Sequence, residues 1–319
     1  MSDDNLPEVT IEEIVASLSD LNQPLSSADL ASLNDLNSIE LASLKGLWPS
    51  INEERRRQIA SRLVELAEED PRLNFDAIFK SLLKDGDAEV RRRAIEGLWE
   101  DEEPSLVGLL ANVLEEDDNT EVRAASARTL RHFATMAALG ELRPDAEERL
   151  VKVLLGAISE KNPTEVRRRA LEAAAALNLP SLNNAIKEAY ASRDPRFKSS
   201  AILAMGSSGD PIWLPILVAE LKSDKPETRY EAATACGELA EKSTVPHLMK
   251  LVEDDDMEVR LAAIQALGEI GGAVAGKAVQ ACLKSPSEAV RELAADILSQ
   301  LEEDEKGLSF HLNEEEEEF

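Results

Sequence analysis

The chain has 319 residues, a net charge of −28 and only 3% aromatic residues. Scarce aromatics among abundant Ala and Leu favour close-packed helices over a β-sandwich. The acidic balance offers no basic footprint for nucleic acid or an anionic membrane, and no apolar run approaches the length that spans a bilayer.

Charge is unevenly placed. Residues 1–54 carry eleven acids and one base, residues 302–319 nine acids and one base, and residues 55–301 carry 43 acids and 33 bases. The opening Met1–Ser2–Asp3–Asp4 has neither the basic nor the apolar stretch of a signal peptide. Cys236 and Cys282 are the only cysteines and make no close-spaced pair, so a reducing, cytoplasmic setting is expected.

Residues 1–37 show no repeat. Thr10–Ile11–Glu12–Glu13 reads as a capping box opening a short helix, with Ile11, Ile14, Val15 and Leu18 on one side. A second amphipathic stretch runs from Leu30 to Leu47. Residues 1–37 are expected to cap the exposed end of a repeat array over 38–301, as solenoids require; a detachable docking helix is the alternative.

Residues 38–301 are periodic. A basic residue followed three positions later by a small one starts at Arg57, Arg91, Arg123, Arg167, Lys198, Arg229, Arg260 and Arg291, in steps of 34, 32, 44, 31, 31, 31 and 31. Such a period marks a solenoid, in which each unit packs only on its neighbours. With Arg260 as position zero, Val259 (−1), Ala263 (+3), Ala266 (+6), Leu267 (+7) and Ile270 (+10) fall on one side of a helix. The +3 slot is Ala in seven copies and Ser126 in the eighth, small enough for neighbouring helices to approach. Asn162–Pro163, Asp194–Pro195 and Ser285–Pro286 read as helix starts. Apolar stretches such as Ile212–Leu221 and Val245–Val252 supply a second helix per unit. Arg55–Arg57, Arg91–Arg93 and Arg167–Arg169 stand among acids, which points to an Asp–Arg ladder between repeats. The step from Arg123 to Arg167 holds 13 extra residues within 131–148, expected as a loop or as lengthened helices. After Leu301 the chain ends in Glu314–Glu318 and Phe319, expected as a disordered acidic tail over 302–319.

The segment Asp256–Met257–Glu258–Val259–Arg260–Leu261–Ala262–Ala263–Ile264–Gln265–Ala266–Leu267–Gly268 resembles the HEAT-repeat superfamily, particularly the short HEAT-like repeats of phycobilisome lyases. The resemblance covers roughly residues 38–301, with Arg56 and Lys198 departing from the pattern. It implies an all-α fold, a right-handed α-solenoid of about eight helix pairs whose second helices line a concave side. It also implies partner binding more than catalysis.

Chemistry is sparse. His132, His247 and His311 form no metal-ligand spacing, and phosphate-loop and nucleophile-elbow motifs are missing. The His–Glu dyads of HEAT-like deoxyhypusine hydroxylases have no counterpart. Cys236 and His247 lie 11 residues apart and could pair as a nucleophile, but Cys236 occupies the buried +7 slot. Trp48, Trp99 and Trp213 are expected to fill gaps between helices. No cofactor, metal or catalytic residue is expected.

Positions +1, +5 and +8 point away from the apolar stripe and are expected to face a partner. They place Leu203, Tyr230 and Leu261 in an apolar strip, and Arg128, Arg131 and Arg168 in a patch suited to acidic groups; the alternative is that the strip packs between repeats. The reading is a non-enzymatic scaffold or adaptor with protein partners. A bilin-lyase-like or other modifying-enzyme subunit that chaperones a protein substrate is the second possibility.

Overall fold

A computed structural model describes the backbone of residues 10–317 and the side chains of residues 10–303. Regular structure among the described residues is helical, with no strand. The helices are α1 (Ile11–Ser19), α2 (Ser27–Ala31), α3 (Ser38–Leu47), α4 (Glu53–Glu69), α5 (Asp76–Leu82), α6 (Ala88–Gly97), α7 (Ser105–Glu116), α8 (Thr120–Ala138), α9 (Pro144–Ile158) and α10 (Thr164–Ala175). They continue with α11 (Leu182–Tyr190), α12 (Pro195–Ser207), α13 (Leu214–Glu220), α14 (Pro226–Leu239), α15 (Val245–Leu251), α16 (Met257–Ile270), α17 (Gly272–Cys282) and α18 (Glu288–Glu317). The fold is an all-α solenoid of helix pairs. Two compact units divide it, residues 1–170 and 171–319. Among the described residues no helix is long and apolar enough to cross a membrane.

In each unit, alternate helices form two rows. The basic-x-x-small helices pack on one another, α4 on α6 and α6 on α8 in the first unit, α12 on α14 and α14 on α16 in the second. The intervening helices pack against them, as α7 does on α8 and α15 on α16. The repeat register explains this. All eight +3 residues, from Ala60 through Ser126 to Ala294, have no exposed surface, so helix backbones meet there. Ser126 satisfies its hydroxyl by donating to the Leu110 carbonyl at 2.7 Å. Val259, Ala263, Ala266, Leu267 and Ile270 are all buried; each such Leu or Ile stabilises by about 1.5–3 kcal/mol.

Turns between repeats reuse one device. Asp85, Asp117 and Asp254 each accept the backbone N–H two residues ahead, at 2.8, 2.9 and 3.0 Å. The residues so placed, Asp87, Asn119 and Asp256, then cap α6, α8 and α16. The Asp–Arg ladder is present in part. Arg91 grips Asp117 with Nε at 2.7 Å and Nη2 at 2.8 Å, and Arg229 grips Asp254 at 2.8 and 2.7 Å. Arg57 grips the cap residue Asp87 at 3.0 and 2.7 Å. Lys198 uses Glu220 at 2.8 Å and Arg123 uses Asn162 at 2.6 Å. Paired N–H bonds to a carboxylate fix orientation as well as adding energy.

At the N-terminal end the Thr10–Glu13 capping box forms, and Ile11, Ile14, Val15 and Leu18 are buried. Arg55, only 4% exposed, donates to the carbonyls of Leu18, Asp20 and Gln23 at 2.5, 2.9 and 2.9 Å. The stretch expected as one amphipathic run from Leu30 to Leu47 is instead split between α2 and α3. Asp35 adopts a left-handed φ of 50° between them, and its N–H donates to Asn74 O. The 13 extra residues of the long step appear as lengthened helices: α8 has 19 residues and α9 has 15, joined through Gly140 at φ 75°. At the other end α18 reaches Glu317, so the backbone of 302–317 is helical where composition points to disorder. Leu, Glu, Gln and Lys propagate a helix well once a buried stretch such as Val290–Ile297 has nucleated it.

Candidate functional site

The outward rows of the two units differ in chemistry. In residues 1–170, Arg92 and Arg93 on α6 share Glu89 and Glu96 in one network, with Arg92 Nη2 2.5 Å and Arg93 Nε 3.0 Å from Glu89 Oε1. Beside it a concavity of about 540 Å³ runs across α4, α6 and α8, lined by Glu65, Glu68, Arg93, Trp99, Arg128 and His132 among others. Trp99 is 54% exposed at its rim, so it does not fill a gap as expected. α6 ends at Gly97, which leaves the Trp99 ring beyond the last packed turn. Trp48 and Trp213 are buried, in line with the expectation for them.

The three arginines expected to attract acidic groups fare differently. Arg128 is exposed, and among the described residues no hydrogen bond or ion pair engages it. Arg131 is half-buried and already engaged. Arg168 is buried at 9% exposure, against the expectation of an outward residue. Its guanidinium lies back along α10 and is clamped by Glu165, Nε at 3.1 Å and Nη2 at 3.0 Å. Of the three, Arg128 alone lines the concavity. His132 Nε2 lies 3.5 Å from Glu102 Oε1 at the same edge.

In residues 171–319 the strip residues sit on three successive helices of the row, Leu203 on α12, Tyr230 on α14 and Leu261 on α16. Tyr230 is 42% exposed, while Leu203 and Leu261 are half-buried. Their apolar surface is therefore shared between packing and solvent. Position +8 of this unit, expected to face outward, holds Ala175, Gly206, Gly237, Gly268 and Ser299. Gly206 and Gly237 are buried against the next helix.

Cys236 is fully buried and burial pushes its thiol up to about 12. The thiolate a nucleophile needs is thereby disfavoured at Cys236. Among the described residues no group of three or more His, Cys, Asp or Glu side chains is placed to hold a metal ion.

Fold comparison finds a chain from the complex of CpcE and CpcF of phycocyanin lyase from Nostoc sp. PCC7120, at 16% identity, TM-score 0.52, covering 94% of this chain and 98% of that one. Human deoxyhypusine hydroxylase aligns at 18% identity and TM-score 0.35, over 92% and 96%. Importin beta aligns at 16% identity and TM-score 0.47, over 92% of this chain and 46% of its own. At this identity the likeness to the phycocyanin lyase chain is one of fold. No curated protein matches the sequence. The family model for HEAT repeats matches residues 75–154 and 214–299, more than half of the sequence, and the chain belongs to the HEAT-repeat family.

Proposed function

We propose that this protein is a non-enzymatic scaffold or adaptor that holds protein partners on the outward row of its basic-x-x-small helices. The observation that carries the reading is the concavity across α4, α6 and α8, where a half-exposed Trp99 stands beside the unpaired Arg128. Trp and Arg are the side-chain types most enriched at binding hot spots, and a concave surround excludes water from them. Leu203, Tyr230 and Leu261 give the second unit a less polar surface of its own. Arg131 and Arg168, already engaged within the fold, do not contribute free cations.

Affinity capture from the native organism, followed by crosslinking mass spectrometry, tests the proposal. Crosslinks are expected at residues flanking Trp99, Arg128 and Tyr230. A Trp99→Ala/Arg128→Ala variant, and separately Tyr230→Ala/Leu261→Ala, should keep full helicity and lose captured partner. Crosslinks confined to the opposite row, or capture unaffected in both variants, would sink the reading.

A second reading is a lyase-like subunit that chaperones a protein substrate. Its support is the fold likeness over 98% of the phycocyanin lyase chain. Co-expression with a bilin and an acceptor protein separates the two: pigment attachment favours the second reading, and its absence leaves the scaffold.

A further inference from the structure

The ladder has a broken rung. Arg57, Arg91 and Arg229 each hold an Asp carboxylate through Nε and Nη2. Arg260 is the next cation after Arg229, and its partner should stand 31 residues beyond Asp254. That position is Ser285. Its hydroxyl keeps the turn, accepting from Ser287 N at 3.3 Å as Asp254 does from Asp256 N. It brings no charge. Among the described residues no hydrogen bond or ion pair engages Arg260, and its Nε is buried without a partner. Asp254, whose titration Arg260 helps to lower, already accepts from Arg229 with both oxygens.

The unfilled rung opens onto a concavity of about 520 Å³, lined by Arg260, Lys284 and Ser285 with Met249 and Val290, and bordered by Glu253. Two cations face one carboxylate there, and Met249 is 43% exposed beside them. A buried guanidinium N–H without a partner is costly, and a carboxylate is the group its planar fork matches best. The apolar lining favours an Asp carried next to an apolar residue over a small inorganic anion.

We infer that Arg260, with Lys284, is a docking site for an aspartate side chain of an acidic protein segment, which completes in trans the rung that Ser285 leaves empty. The inference goes beyond the scaffold reading and uses a different surface from Trp99, Arg128 and Tyr230.

The probe is a fluorescein-labelled peptide with the sequence of residues 252–259, whose Asp fills the rung of Arg229. An otherwise identical peptide with Asn for each Asp is the control. In the full-length protein the arginine Nε–H resonance of Arg260 should shift with the Asp peptide and not with the Asn peptide. Affinity should fall at least about tenfold in Arg260→Gln, as expected for losing one charged hydrogen-bond partner. Ser285→Asp supplies the missing carboxylate in cis: it should raise the unfolding temperature, shift the Arg260 resonance without peptide, and abolish binding. No binding to the wild-type chain would overturn the inference, as would undiminished binding to Ser285→Asp. Acetate shifting the resonance equally at equal concentration would overturn the peptide assignment. Peptide binding retained in Tyr230→Ala/Leu261→Ala keeps this site's outcome separate from that of the scaffold reading.

Discussion

One slot separates the two units. Eight residues beyond the ladder cation, residues 1–170 carry Glu65, Trp99 and Arg131, whereas residues 171–319 carry Ala175, Gly206, Gly237, Gly268 and Ser299. A Cβ added to Gly206 would lie 2.6 Å from the Ala235 Cα, and one on Gly237 would lie 2.9 Å from the Ala266 Cα. Backbones therefore also meet at this slot in the second unit, and α12, α14 and α16 pack more closely on one another than α4, α6 and α8 do. In the first unit Glu65 and Trp99 instead line an open concavity. Glycine closes the row and a large side chain opens it, so the slot that looks like decoration on a helical wheel sets where a partner can enter.

Putting a side chain back into the closed slot should give the largest effect. Gly206→Val forces α12 away from the Ala235 backbone, a shift no rotamer relieves, and should cost about 3 kcal/mol. Gly108→Ala on α7 of the first unit is the contrast. Nothing lies within 4 Å of its added Cβ, so it should stabilise by about 0.5–1 kcal/mol through helix propensity. Chemical denaturation of both variants measures the difference. Equal effects would break the comparison.

Arg55 tests the other end of the first unit. Arg55→Met keeps the volume of the stem but frees three carbonyls that cap the α1 region. The expected cost is about 2 kcal/mol, with hydrogen-exchange protection lost first over residues 11–23. Uniform loss across the unit would mean that this segment is not held by Arg55.

The rungs predict a pH dependence. The Arg57 guanidinium holds Asp87, and the Arg229 guanidinium holds Asp254, below the usual carboxylate range. A depressed native pKa contributes stability that is fully present above the unfolded value near about 4 and is lost as pH falls through the native one. Denaturation midpoints should thus fall below about pH 4. Asp254→Asn should cost about 1 kcal/mol at pH 7 and flatten that fall. An unchanged acid profile in the variant would separate the rung from acid stability.

The register made the fold legible because a buried stripe, a small +3 slot and a cap all repeat in sequence. Less legible was what each outward position does. Gly237 and Trp99 share one slot, yet burial depends on whether the next helix offers an Ala backbone or an open face. Arg168 reads as outward by angle, yet it is buried and held by Glu165. Three-dimensional neighbours decide such cases, and a single helix's periodicity does not contain them. The long step was open between loop and helix because 13 residues suffice for either; Pro144 starting α9 and Gly140 ending α8 resolve it.

The smallest stability effect belongs to the residue that matters most for the scaffold reading. Trp99 is 54% exposed, whereas Trp48 and Trp213 are 7% and 1% exposed. Removing a side chain that buries little should move stability by less than about 0.5 kcal/mol. Because the other two tryptophans are shielded, acrylamide quenching of the native protein should report on Trp99 almost alone. Trp99→Ala should then leave the unfolding midpoint in place and remove most of the quenchable emission. A partner seated in the concavity should protect the same fraction in the wild-type chain. Binding that leaves this fraction fully quenchable would put the partner on another surface, and the open slot of the first unit would be a consequence of packing rather than an entrance.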